Sequence, residues 1–204
     1  MERLWVYIMS TSFTKEDMTR MEAMLSSFLS ANNIALSGPV DVFALATRLG
    51  FDVRAATLPG DMEGLIIVNE FSKKIKAFKT NKVIAYNIPS ALTHTKFIVA
   101  HELAHYITEW NNQKEKAQKE KAPKIVVAAR DHTIGYSTNI EEQEKDYIAA
   151  AILVPMEDLL RRFSLNLEDH SDKDKLYTEI ADFYRVDIRL AERRVGEVSR
   201  VKGT

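Results

Sequence analysis

Positions 101–105 read H-E-x-x-H, and this short motif limits the possible folds more than any other part of the sequence. In an α-helix of about 3.6 residues per turn, the spacing puts His101 and His105 on one face, about 6 Å apart along the axis. Two imidazoles so placed can bind one metal ion, and Glu102 can reach a water molecule at that ion. The motif therefore predicts a helix built around a metal site.

The residues around the motif are typical of a helix that packs in the protein interior. Leu103 and Ile107 lie four residues apart, on the side away from the two histidines. We expect Thr93 or Thr95 to cap the N-terminus of this helix. Glu102 lies within an otherwise apolar run, where a carboxylate needs a compensating partner. A metal-bound water explains that glutamate better than an exposed, unspecialised helix face does.

Composition excludes several classes of protein. The chain has 204 residues, is 46% hydrophobic and can bury one core with room for a small appendage. Its net charge of −1 gives no general attraction for nucleic acid. The absence of cysteine excludes disulfides, thiolate ligands and cysteine catalysis. Because no apolar run is long enough for a membrane helix or a signal peptide, we expect a soluble, cytoplasmic protein without membrane contacts.

The expected elements come in the order helices, sheet, helices. Helix starts are predicted at Thr14 and Asp41, and the last third of the chain is mostly helical. Strand-like segments cover positions 4–9, 51–58, 65–68, 74–78, 83–86 and 125–129. This order predicts an α+β fold in which a small antiparallel sheet packs on the motif helix. We divide the chain into an N-terminal strand and helix (1–34), a core (35–160) and a helical extension packed on it (161–204).

The third metal ligand has to come from elsewhere in the chain, because a catalytic zinc ion has three protein ligands and one open position. The metzincin pattern is excluded, since Thr108 and Asn111 stand where it has glycine and histidine. A downstream helix offers Glu142, which could bind the metal, and Asp146, which could accept a hydrogen bond from the outer nitrogen of a ligand histidine. The alternative third ligands that remain open are Glu141, Glu144 and His132.

Three segments together resemble the ImmA/IrrE family of zinc metallopeptidases. Positions 39–53 are similar to its first helix and strand, 97–105 to its catalytic helix, and 142–155 to its third-ligand helix. The resemblance spans about residues 35–160, with a weaker similarity at 180–194. The chain departs from the family pattern at Ala104, Lys145, Ile148 and Val154, and positions 111–124 read as an insertion.

The resemblance implies a zincin-like core with a gluzincin-like zinc site. In that alignment His101, His105 and Glu142 bind Zn²⁺, Asp146 supports the site, and Glu102 is the general base of an endopeptidase. The implied substrate is a DNA-binding repressor, often of the helix-turn-helix type, whose cleavage releases transcription. For the donor that stabilises the oxyanion, the loop before the ligand helix offers Tyr136 and His132 as candidates.

Two rival interpretations do without proteolysis. In the first, the protein is an antirepressor module that sequesters the repressor and carries a structural or vestigial metal site. In the second, residues 171–201 form a DNA-binding helix-turn-helix rich in arginine. Because Asp187, Glu192 and Glu197 are interleaved with those arginines, we expect a solvated helix and no direct binding of nucleic acid.

Overall fold

A computed structural model of the protein describes residues 13–69, 80–87, 91–116, 125–131, 139–163 and 173–203. The helices are α1 (Lys15–Ala31), α2 (Val42–Arg48), α3 (Leu92–Lys116), α4 (Ile140–Leu153), α5 (Met156–Phe163), α6 (Lys173–Tyr184) and α7 (Ile188–Lys202). The strands are β1 (Asp52–Ala56), β2 (Met62–Asn69), β3 (Lys82–Asn87) and β4 (Ile125–Asp131). The predicted α+β fold is thereby confirmed. The strands predicted at 4–9 and 74–78 lie outside the described residues.

The strands in the described part of the chain form one mixed sheet in the order β1-β3-β2-β4. Strand β2 pairs antiparallel with both β3 and β4, whereas β1 lies parallel to β3. The expectation of an antiparallel sheet is therefore wrong for the pair β1 and β3. Alternating apolar residues indicate which face of a strand is buried, but they carry no information about which strand lies beside it.

Helices α1 and α2 begin where the sequence predicts them. Thr14 and Asp17 form a reciprocal capping box, in which Thr14 Oγ1 accepts from the Asp17 N–H at 3.1 Å and the Asp17 carboxylate accepts from the Thr14 N–H at 3.0 Å. The Asp41 carboxylate accepts from two backbone N–H groups in the first turn of α2. Gly50 follows α2 with a φ of +88°, a left-handed conformation that suits glycine.

Helix α3, which carries the motif, begins earlier than predicted. It starts at Leu92, so Thr93 and Thr95 lie inside its first turn and do not cap it. The Thr95 hydroxyl donates to the carbonyl of Ala91, one turn back, at 3.2 Å, which lets a threonine lie within a helix. The helix continues to Lys116 and so includes the start of the predicted insertion.

A single cluster of buried apolar side chains joins all the helices from α1 to α7. Strands β2 and β3 contribute Ile66 and Ile84 to it, and α3 contributes Leu103 and Ile107. The predicted divisions after residues 34 and 160 stay predictions, although this core crosses both. No helix in the described ranges is long and apolar enough to cross a membrane.

Arg194 of α7 is buried and Arg193 is largely buried, so the expectation of a solvated helix is wrong for these two residues. Arg194 is fully buried, donates from Nε to the Val154 carbonyl at 3.0 Å, and pairs with Glu22 and Glu197. Arg193 donates from Nε to Glu197 at 2.7 Å. Each guanidinium can lie inside because carboxylates offset the cost of burying its charge. Of the acidic residues interleaved with the arginines, Glu197 pairs with both Arg193 and Arg194, whereas Asp187 caps the helix and Glu192 is exposed.

Candidate metal centre

Helices α3 and α4 pack side by side and bring His101, His105 and Glu142 together. One ligand atom from each of these residues lies within 4.8 Å of the others, and no other such group occurs among the residues that the structure describes. Glu142 Oε2 is 3.1 Å from His101 Nε2 and 3.9 Å from His105 Nε2. Two ligands of one tetrahedral zinc ion would lie roughly 3.3 Å apart, so the donor positions fit a single ion.

Asp146 orients the first histidine. The His101 ring shares a hydrogen bond of 2.8 Å between its Nδ1 and Asp146 Oδ1, and both residues are buried. Asp146 follows Glu142 by one turn of α4, so the same helix face holds the ligand carboxylate and the supporting one. A proton on Nδ1 directs Nε2 of His101 toward Glu142 and His105, which is the tautomer that a metal ligand needs.

The protonation of the two other donors suits a divalent cation. Burial, followed by the charge of His101, lowers the pKa of His105 to about 4, so its imidazole is neutral at neutral pH. The close contact with His101 lowers the pKa of the Glu142 carboxyl, and burial opposes this effect. Nε2 of His105 is buried and makes no hydrogen bond within the described part of the chain. Leaving such an atom unsatisfied is costly, and a metal ion would satisfy it.

Glu102 lies fully buried between α3 and strand β2. A Cβ added to Gly64 of β2 would come 2.5 Å from Glu102 Oε1 and 2.6 Å from Ile98 Cγ2, closer than atoms can approach. Only glycine at position 64 therefore leaves room for the glutamate beside the strand. The pairing of β2 with β4 also shifts register between Met62 and Gly64. Sequence reasoning missed Gly64, although a glycine within a strand is a recognisable signal of close approach.

The alternative third ligands that the structure describes lie elsewhere. Glu144 pairs with Arg20 of α1 at 2.6 Å, and Glu141 is exposed at the start of α4. His132 is outside the described residues, as is Tyr136, the other candidate for the oxyanion donor. His94 lies two turns before His101 on α3 and contacts Glu63 at 2.8 Å rather than the ligand group. Glu142 is thus the carboxylate that the structure brings to the two histidines.

The class of protein follows from the fold and the site together. Two histidines and a buried glutamate on one helix, with a carboxylate from a second helix, give an α+β protein a site of the metallopeptidase type. Fold alone would not carry that conclusion, since one architecture serves many activities, but the arrangement of these side chains does.

Comparison with known protein families agrees with a site of the metallopeptidase type. The sequence model of Peptidase_M78, the IrrE N-terminal-like domain, matches residues 48–195, and the chain belongs to this family. The matched range contains α3, α4 and the first half of α7, so it includes every residue of the candidate metal centre. A search of curated proteins finds no match to the chain.

Proposed function

We propose that the protein is a zinc-dependent endopeptidase that hydrolyses a peptide bond in a DNA-binding transcriptional repressor. His101, His105 and Glu142 would hold the ion, since two imidazoles and one carboxylate are a donor set of catalytic zinc sites. Bound zinc supplies Lewis-acid activation of a water molecule and polarisation of the scissile carbonyl. We place the activity in the cytoplasm, a reducing compartment that suits a chain without cysteine.

Glu102 is the proposed general base. Its carboxylate accepts a proton from the attacking water and then delivers it to the leaving amine nitrogen. One water molecule is consumed, the C–N bond of the peptide is broken, and a C–O bond takes its place. The Glu102 carboxylate lies close to the backbone of Gly64, where an added Cβ would come within 2.5 Å of its Oε1, so the strand limits where the carboxylate can be. Such a position prepares the group for proton transfer without large rearrangement.

The observation that carries the proposal is the convergence of the three donors. His101, His105 and Glu142 meet from two helices, and the buried Nε2 of His105 has no hydrogen bond to any described residue. A structural cluster would be expected to satisfy that nitrogen from within the chain. The peptide substrate is supported by membership of a peptidase family. The choice of a helix-turn-helix repressor is supported by the resemblance to the ImmA/IrrE family.

The test compares the wild type with Glu102→Gln on a candidate repressor encoded in a neighbouring reading frame. The wild type should cleave the repressor, lose activity with a chelator and regain it with zinc. Glu102→Gln should bind zinc but cleave about 100 to 10,000 times more slowly, because it lacks the general base. Glu141→Gln, at an exposed position of α4, is the matched control and should behave as the wild type.

Two outcomes would contradict the proposal. Equal cleavage by the wild type and Glu102→Gln would show that Glu102 is not the general base. A wild type that binds the repressor tightly and leaves it intact in the presence of zinc would favour the antirepressor interpretation. Mass spectrometry of the repressor distinguishes these cases, because it reports both the cleavage and the bond that is cut.

A further inference from the structure

The C-terminal helix α7 reaches the metal centre through one arginine. Arg193 Nη1 lies 3.8 Å from Asp146 Oδ2, whereas the other carboxylate oxygen of Asp146 binds His101. On its far side, Arg193 donates from Nε to Glu197 at 2.7 Å. The side chains of Arg193, Asp146 and Glu197 are only 13%, 5% and 2% exposed, so solvent screens these charges little. A chain of largely buried charged side chains thus connects α7 with His101, a proposed zinc ligand.

The geometry gives each oxygen of Asp146 a different task. Oδ1 fixes the His101 ring, and Oδ2 faces the guanidinium of Arg193. A buried carboxylate is costly unless positive charge or hydrogen bonds compensate it. With His101 on one side and Arg193 on the other, the plane of the Asp146 carboxylate is held in place. The direction in which His101 Nε2 points depends on that plane.

The neighbouring arginine provides an internal contrast. Arg194 binds the Val154 carbonyl and Glu22 of α1, and it contributes to packing between helices rather than to the ligand group. Glu197 receives both arginines, Arg193 at Oε1 and Arg194 at Oε2. Apart from Glu197, which they share, these adjacent residues of one helix have different partners. Arg194 connects α7 with the fold, and Arg193 connects it with the support of His101.

We propose that Arg193 is a positioning residue of the metal centre, which acts through Asp146 on His101 and increases the affinity for zinc. The inference rests on the proposed zinc site. It makes α7 part of that site, although this helix supplies none of the three ligands. Asp146 contacts both the arginine and His101, and this makes the proposal testable by combining two substitutions.

The experiment is a double-mutant cycle with Arg193→Met and Asp146→Asn, read by competition between the protein and a chelating dye for zinc. Arg193→Met should weaken zinc binding about 10-fold, at the lower end of what the loss of a supporting partner costs. Arg193→Lys should recover part of the loss, since it keeps the charge but not the planar guanidinium. Arg189→Met, exposed on the same helix, is the matched control and should bind zinc as the wild type does.

The variant that combines Arg193→Met with Asp146→Asn distinguishes an effect on the position of His101 from a general effect on fold stability. If Arg193 acts through Asp146, then adding Arg193→Met to Asp146→Asn should have no further effect on zinc affinity. The visible absorption of the cobalt-substituted protein gives a second reading, because a change of ligand geometry at His101 alters it and a loss of fold stability alone does not. Should Arg193→Met fail to fold, Arg193→Lys with its cobalt spectrum provides the same comparison.

Unchanged zinc affinity and an unchanged cobalt spectrum in Arg193→Met would overturn the inference. So would an effect of Arg193→Met that persists undiminished in the Asp146→Asn background, because the arginine would then act by another path. A wild type that binds no zinc would contradict the proposed function and this inference with it. A wild type that binds zinc, with Arg193→Met binding equally well, would contradict the inference alone.

Discussion

Two buried aspartates, Asp146 on α4 and Asp158 on α5, differ in the kind of partners that surround them. The Asp158 carboxylate is surrounded by donors from its own chain, which are Gly38 N–H at 2.8 Å, Ser37 Oγ at 3.0 Å, Tyr184 OH at 2.9 Å, Arg162 Nε at 2.8 Å and the guanidinium of Arg161. Asp146 instead supports a histidine whose other nitrogen faces the carboxylate of Glu142, the proposed third ligand.

The difference lies in what each region leaves unsatisfied. At Asp158 the chain supplies every partner that the carboxylate needs, and the result is an anchor between the loop before α2, α5 and α6. At the metal centre, His105 Nε2 is buried and makes no hydrogen bond to the residues described. A polar cluster that is complete stabilises the fold, whereas one that leaves a buried donor atom without a partner is arranged for a ligand.

The largest expected effect is a loss of zinc affinity at the cluster of His101, His105 and Glu142. Glu142→Gln should weaken zinc binding on the order of 1000-fold, beyond the 10- to 100-fold cost of losing an outer-shell partner, because a charged ligand is removed. The metal-free variant should unfold close to the wild-type temperature. Isothermal titration with zinc and thermal unfolding measure the two quantities. Zinc affinity that stays at the wild-type value would show that another residue is the third ligand.

Asp158→Asn tests the complete cluster and should lower the free energy of unfolding by about 3 kcal/mol. Burial alone would raise the pKa of Asp158, but the hydrogen bonds from Arg162, Gly38 and Arg161 outweigh it and hold the pKa far below its usual range. Zinc affinity of the folded protein should not change, because this anchor is separate from the ligands. Urea unfolding at neutral pH is the measurement, and a loss of zinc binding without destabilisation would reverse the two assignments.

The same carboxylate sets a pH dependence. Because the pKa of Asp158 is lower in the folded chain than in the unfolded chain, its stabilisation is complete above the ordinary aspartate pKa. It is lost as the pH falls below about 4, toward the folded value. The difference in unfolding free energy between the wild type and Asp158→Asn should therefore shrink in acid. A difference that stays constant from pH 7 to pH 3 would contradict this origin of the stability.

Gly64→Ala tests the space beside Glu102 and should reduce the rate of cleavage about 100-fold. The added Cβ would lie 2.5 Å from Glu102 Oε1, so the carboxylate has to move away from its position. The three ligands remain, and zinc affinity should stay within a few-fold of the wild type. Gly196→Ala is a matched control, since a Cβ there meets nothing within 4 Å. Full activity of Gly64→Ala would mean that the position of Glu102 does not matter.

The smallest expected effect concerns Glu144, the neighbour that does not join the ligands. Its partner Arg20 is 58% exposed, so Glu144→Gln should cost less than about 1 kcal/mol of stability. Zinc affinity should equal that of the wild type, in contrast to Glu142→Gln two residues earlier. Zinc titration of both variants under one set of conditions makes the comparison. A loss of zinc binding in Glu144→Gln would mean that Glu144, and not Glu142, is the third ligand.

Local signals in the sequence predicted much of this molecule. The capping box at Thr14 and the cap at Asp41 mark where α1 and α2 begin, because a cap depends only on residues within one turn. The spacing of the motif predicted that His101 and His105 share a helix face. The resemblance to a known family identified Glu142 and Asp146 as the partners on α4, and the structure brings both of them to His101.

Contacts between distant parts of the chain could not be predicted in this way. The parallel pairing of β1 with β3 depends on the path of the chain, which apolar alternation does not record. Arg193 looked like one more charge on a solvated helix, because its partner Asp146 lies far away in sequence. Gly64 lay just outside the strand predicted at 65–68, and only the packing of α3 against β2 shows what its missing side chain accommodates.

Zinc K-edge X-ray absorption of the zinc-loaded wild type tests the metal centre most directly. We expect one zinc ion per chain with two imidazole nitrogens and a carboxylate oxygen, from His101, His105 and Glu142. In Glu142→Gln the protein oxygen should be lost while the two imidazoles remain. A zinc ion with fewer than two imidazole ligands, or a spectrum that Glu142→Gln leaves unchanged, would contradict the proposed site.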